Sequence, residues 1–223
     1  KAGNERLFMP DSLRDLIEYD RNSMDQYSIR KIENILELLY TFPETNKMLN
    51  SLKDGLKVKM EITGGSSSLG EAWYDPIYPP KIGFLREDCI TMENVLHELL
   101  HYYAMYNYVP YRDGVIPACE EYEVRVLTDV IMQKYCANCD FKYQGMSPDE
   151  GLFYQPYIDW INNLINTSSF DKFLFGIEFK KYGTICIMNL QYNDKTTHDI
   201  LQINDLNYYI PLLLETFLFN FKR

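Results

Sequence analysis

The segment His97-Glu98-Leu99-Leu100-His101 carries the clearest chemistry in the chain. On a helix, residues four apart sit one turn above each other, so both imidazoles can reach a single ion. Glu98 follows His97 at about 100° around the helix axis. That places a carboxylate close enough to meet a metal-bound water without itself being a ligand. The chain has only three histidines in 223 residues, and this segment uses two of them.

A catalytic zinc takes three protein ligands and keeps one position for water. The third histidine, His198, lies far downstream in a polar stretch, so a glutamate from the next helix is the better source. That helix offers Glu120, Glu121 and Glu123. From Glu121, the residues Val124, Leu127, Thr128, Ile131 and Met132 share the ligand's half of the helix and would pack it against the first one. Glu120 has a comparable argument through Leu127, Val130 and Ile131, and Glu123 a weaker one. Glu121 is the expected ligand.

The elements that must position these residues are legible on either side. Thr91 can cap a helix with Glu93 in its first turn, favourable at the positive end of the dipole. The helix runs from about 91 to 107 and stops before Pro110. Leu96, Leu99, Leu100 and Tyr103, flanked by Val95, anchor its aliphatic side. A loop containing Asp113-Gly114 leads to the glutamate-bearing helix, expected over 117–135. Upstream, Ile29, Ile32, Leu36 and Leu39 recur at helical spacing until Pro43, and a second short segment runs from Glu44 toward Gly55. The alternation from Leu56 to Ile62 predicts a half-buried strand, Gly64 to Ser68 a loop, and Lys81 to Arg86 a second strand after the turn at Pro76, Pro79 and Pro80.

Downstream, Ser147-Pro148-Asp149-Glu150 predicts the start of a third helix, which Pro156 should kink or interrupt. Phe175, Ile177 and Phe179, then Ile185 and Ile187, around a Lys180-Lys181-Tyr182-Gly183 turn, predict a hairpin over 173–190. A final apolar helix is expected from Leu206 to Phe221. The fold class is α+β, helices around a small twisted mixed sheet. A core over 1–145 is followed by a helical and hairpin subdomain over 146–223, unless the two form one continuous domain.

Within His97 to Met132 the chain resembles the gluzincins, zinc metallopeptidases with HExxH on one helix and a glutamate ligand on the next. Glu121-Tyr122-Glu123-Val124-Arg125 is similar to the E-x-x-A-(D/N) segment of several zincin branches, with Val124 in the small apolar place. It departs at Arg125, where many members carry Asp or Asn to orient a ligand histidine; Asp129, one turn on, is the candidate substitute. The extended metzincin pattern would need Gly at position 104 and His at position 107, where the chain has Ala104 and Asn107. The resemblance implies a zincin-like fold and a Zn2+ ion on His97, His101 and Glu121. It implies peptide or protein substrates, with Glu98 taking the proton from water and delivering it to the leaving amine. Tyr143, Tyr154, Tyr157 and His198 are the candidates to hydrogen-bond the oxyanion. It also implies that substrate adds to the sheet edge, at Lys81 to Arg86 or at Ala72-Trp73-Tyr74; Trp73 and Tyr74 as simple core or loop aromatics is an equal reading. Two other functions stay open: a catalytically inactive zincin-like binding protein, and a narrow-specificity zinc amidase or effector protease.

Composition excludes other classes. With 22 Lys+Arg against 32 Asp+Glu and a net charge of −10, the chain is a poor candidate for gripping phosphate backbones, so nucleic acid is not an expected partner. At 46% hydrophobic it can bury a sizeable core. The most apolar late stretch, Ile210 to Phe221, is interrupted by Glu215 and falls short of the roughly 20 residues of a bilayer span. The 19 tyrosines are spread along the chain, as packing and rim residues would be. Cys136 and Cys139 form a CxxC pair open to a disulfide, to half a metal site or to plain thiols. The Lys1-Ala2-Gly3 start, without Met, is expected of a processed or truncated chain, in a secreted or cell-envelope protein rather than a cytoplasmic one.

Overall fold

A computed structural model describes residues 9–53, 55, 57–65, 70–107, 117–166, 171–194 and 203–219. It divides into two compact units, Lys1–Val109 and Pro110–Arg223. The whole is α+β, with a small mixed sheet of four strands.

In the first unit the strands are β1 (Ile17–Tyr19), β2 (Val58–Ile62), β3 (Ala72–Asp75) and β4 (Lys81–Phe84), in the order β1-β2-β4-β3. β1 pairs parallel with β2, Ile17 opposite Val58. β2 pairs parallel with β4, Met60 opposite Ile82. β3 runs antiparallel to β4 and forms an edge, with Ala72 opposite Phe84. Parallel neighbours need a crossover, and two helices supply it between β1 and β2: α1 (Gln26–Thr41) and α2 (Pro43–Leu52).

Local signals set these helices. The Asp25 carboxylate accepts from the Ser28 amide at 2.8 Å and caps α1. The Ser28 hydrogen bond also holds that carboxyl below its ordinary value. Ile29, Ile32, Leu36 and Leu39 are buried, as their spacing predicts. Phe42, preceding a proline, is extended, and Pro43 opens α2. Strand β1 has no counterpart in the sequence reading: its three residues are too short to show a period. The strand expected from Lys81 is present, but β4 lies inside the sheet between β2 and β3. A substrate strand therefore cannot add to it, and the antiparallel edge is β3. Trp73 lies opposite Gly83, where a Cβ would come within 2.3 Å of the indole. Glycine is what lets the indole close over that strand.

Helix α3 (Met92–Asn107) follows β4 and packs against α1, α2 and β3. Thr91 Oγ1 accepts from the Asn94 amide at 3.2 Å, the expected cap. The Asn94 side chain donates to the Cys89 carbonyl at 2.9 Å and to Glu71 at 3.2 Å, tying the helix start to the segment that leads into β3. Val95, Leu96, Leu99, Leu100 and Tyr103 are buried.

The second unit contains α4 (Pro117–Cys136), α5 (Tyr154–Asn166) and α6 (Lys172–Asp194). The helix expected at Ser147 begins as a 3-10 segment, Pro148–Phe153, capped by the Ser147 hydroxyl. Its break falls at Gly151, with φ +54°. Pro156 sits instead in the first turn of α5, where a missing amide costs nothing, so the expected kink there is absent.

The hairpin expected over 173–190 is incorrect: the segment lies within the single helix α6. Asp171 caps it, its carboxylate accepting from the Phe173 amide at 2.9 Å and the Leu174 amide at 3.1 Å. Phe175, Phe179, Tyr182 and Cys186 are buried at steps of four, three and four, whereas Ile177 is 47% exposed. Gly183 is no turn residue: a Cβ there would meet the Tyr122 ring at 2.5 Å, so it is where α6 closes on α4. The expected last helix also differs. Residues 206–208 form a turn, and helical structure resumes only at Leu212, running to Phe219. Among the described residues, no helix is long and apolar enough to cross a membrane.

Candidate metal centre

Helix α3 brings the two motif histidines together. Their Nε2 atoms are 3.1 Å apart and their ring centroids 4.8 Å, with the rings tilted by 63°. His97 is buried, Glu98 is buried beside it, and His101 is half-buried. A solvated polar face would leave all three in water, so burial of two of them separates this segment from an ordinary surface helix.

Among the described residues, Glu121 is the glutamate that falls with the two histidines in a group that could hold a metal ion. His97, His101 and Glu121 each offer one ligand atom, and these atoms lie within 4.8 Å of one another. Glu123 is fully buried and used differently: its carboxylate accepts from Tyr209 Oη at 3.0 Å and from the Leu214 amide at 3.3 Å. It fastens the C-terminal segment to α4.

Arg125, the position that departs from the family pattern, pairs with the candidate ligand. Its Nε donates to Glu121 Oε1 at 2.8 Å, and its Nη1 donates to the Gln144 carbonyl at 3.1 Å. Desolvation, the largest single influence, lowers the pKa of this arginine, but Glu121, Cys186 and Asp129 together hold it above its ordinary value. An i,i+4 acid and base pair is visible in sequence, so this partner could have been found there.

Asp129 does not take the role expected of it. It is fully buried, accepting from the Gln144 amide at 2.8 Å, the Gly145 amide at 2.9 Å and Tyr157 Oη at 2.6 Å. Its carboxylate is thus occupied in bracing the 144–145 turn onto α4 and α5. Burial raises its pKa to about 6, against the pull of those hydrogen bonds and of Arg125.

The oxyanion candidates separate in the same way. Tyr157 is fully buried and spends its hydroxyl proton on Asp129, which removes it as a donor to substrate. Tyr143 donates to Gln133 Oε1 at 2.5 Å. Tyr154 is half-buried and edge-on to the Tyr143 ring, their centroids 6.3 Å apart. His198 lies outside the described residues.

Cys136 and Cys139 are disulfide-bonded, which excludes a metal on that pair. Cys89, Cys119 and Cys186 are buried thiols that form no disulfide. Burial pushes the Cys119 and Cys186 thiols up to about 12, so neither is a thiolate nucleophile at neutral pH.

No family model matches the chain, and no curated protein or solved structure matches it either.

Proposed function

We propose that His97, His101 and Glu121 hold a Zn2+ ion and that the chain is a gluzincin-like metallopeptidase, hydrolysing peptide bonds with Glu98 as general base and acid. The observation that carries this reading is the 3.1 Å separation of the two Nε2 atoms, with a Glu121 ligand atom within 4.8 Å. Two nitrogens bound to one tetrahedral ion at about 2.0–2.1 Å lie about 3.3 Å apart. The histidines therefore need almost no movement to share an ion, and two imidazoles with one carboxylate form a donor set that zinc accepts.

Zinc in such a site supplies Lewis acidity, making hydroxide accessible near neutral pH and polarising a carbonyl. Glu98 accepts the proton of the attacking water and passes it to the leaving amine. Its burial limits competing solvent. A zincin-like arrangement of the first unit draws support from β3, an antiparallel edge against which α3 packs. That edge is where an extended peptide would pair. The Cys136–Cys139 bridge supports a secreted or envelope location, since disulfides persist in oxidising compartments.

The test is elemental analysis after reconstitution with zinc, together with turnover of a peptide library by wild type and Glu98→Gln. One zinc per chain is expected in both proteins. Hydrolysis in the variant is expected to fall by about 10²–10⁴-fold. A chain that takes up no zinc, or a Glu98→Gln variant that cleaves as fast as wild type, overturns the proposal. Zinc without turnover in wild type leaves the inactive binding protein instead.

A further inference from the structure

We infer that Arg125 is a positioning residue for the metal centre, holding Glu121 as a one-oxygen ligand; the inference rests on the metal reading above. Glu121, Arg125 and Asp129 stand at successive i,i+4 steps, so they form one stripe along α4. The guanidinium is held at both ends of its fork, by Glu121 Oε1 at 2.8 Å and by the Gln144 carbonyl at 3.1 Å.

That carbonyl belongs to the same peptide group as the Gly145 amide, which donates to Asp129 Oδ2 at 2.9 Å. The peptide is therefore pinned on both sides, by Asp129 through its N–H and by Arg125 through its oxygen. Asp129 is in turn fixed by Tyr157 Oη at 2.6 Å and the Gln144 amide at 2.8 Å. Gly145 permits this close approach, because a Cβ there would fall 2.1 Å from Tyr157 Oη. The result is a continuous path from the buried Tyr157 to the ligand carboxylate. Charge-assisted hydrogen bonds of this geometry are the stronger ones. A carboxylate with one oxygen engaged by Arg125 offers the ion a single oxygen in a set direction, and groups that orient ligands in this way typically govern metal affinity by 10–100-fold.

Two effects of Arg125 have opposite signs. Orientation strengthens binding, whereas its positive charge opposes a cation. Arg125→Lys separates them, since it keeps the charge and loses the rigid fork.

Zinc affinity is measured by competition with a chromophoric chelator for wild type, Arg125→Lys and Arg125→Met. The visible spectrum of each Co2+-substituted protein is recorded, and apo-protein urea melts establish that each variant is folded. We expect Arg125→Lys and Arg125→Met each to bind zinc about 10–100-fold more weakly than wild type. We expect the intense bands of four-coordinate cobalt in wild type and the weaker bands of a five-coordinate ion in the variants. Unchanged affinity in Arg125→Lys, or tighter binding in Arg125→Met, overturns the inference, because Arg125 would then act through charge alone. Five-coordinate cobalt in wild type overturns it without any variant, which covers the case in which neither substitution folds. Wild type that binds neither Zn2+ nor Co2+ sinks the metal reading itself, whereas one ion bound equally by wild type and Arg125→Lys sinks only the role of Arg125.

Discussion

Replacing Asp129 by Asn should flatten the pH dependence of stability between about pH 4 and about pH 7. The wild-type carboxyl moves from 3.8 in the unfolded chain to about 6 in the fold, because desolvation outweighs the hydrogen bonds from Tyr157, Gly145 and Gln144 and the charge of Arg125. The native state then keeps a proton that the unfolded chain has released. The stability Asp129 contributes is fully present below 3.8 and is lost as the pH rises through about 6. At about 1.36 kcal/mol per unit, a difference of about two units amounts to about 3 kcal/mol, of which about 2–2.5 kcal/mol falls between pH 4 and pH 7. Asp25 and Asp88 have lowered values and act in the opposite sense, losing their contribution as the pH falls, but both proteins share them. The quantity to measure is therefore the difference between wild-type and Asp129→Asn unfolding free energies, from urea melts across this range. A chelator keeps the metal ligands out of the comparison. That difference should shift against wild type by about 2–2.5 kcal/mol as the pH rises. A constant difference, or one that moves in favour of wild type, would show that Asp129 is ionised throughout and would refute the assignment of desolvation as its dominant influence.

The remaining predictions concern packing and the metal. Gly183→Ala gains about 1 kcal/mol of helix propensity, yet its Cβ would meet the fully buried Tyr122 ring at 2.5 Å and Leu206 at 2.9 Å. Tyr122 is further held by its hydroxyl bond to the Phe179 carbonyl at 2.7 Å. Overpacking of about 1–3 kcal/mol should win, and a urea midpoint equal to or above that of wild type would contradict the close approach of α4 and α6. Zinc at about 100 times its dissociation constant should raise wild-type stability by about 2.7 kcal/mol. A thermal melt of His101→Ala should show none of that gain; an equal shift would place the ion elsewhere.

Much of the candidate site was legible in the chain because its signals are local. The spacing of His97 and His101 needs only a helix, and that helix declares itself through Thr91 and the aliphatic run from Val95 to Leu100. Helix α1 is equally self-declared by Asp25, Ile29, Ile32, Leu36 and Leu39. The failure at α6 has the opposite cause. Phe175, Ile177 and Phe179 alternate, and aromatic and β-branched residues favour strands when packing is unknown. The face that counts is set by Tyr122 of α4 and Trp160 of α5, whose rings lie against Phe179 and Phe175 respectively. Those contacts bury Phe175, Phe179, Tyr182 and Cys186 together and leave Ile177 outside.

By itself, then, the sequence determined the α+β class, the two helices that carry His97, His101 and Glu121, and the pairing of two imidazoles with Glu98, since each depends on residues no more than a few turns apart. Only the tertiary structure decided that β3 rather than β4 is the antiparallel edge of the sheet and that Glu123 is spent on Tyr209 and Leu214. It alone assigned Asp129 to Gln144, Gly145 and Tyr157. These outcomes turn on which buried polar group finds a partner from a distant segment. A buried carboxylate must be satisfied wherever the fold brings donors to it, and sequence spacing carries no record of that encounter.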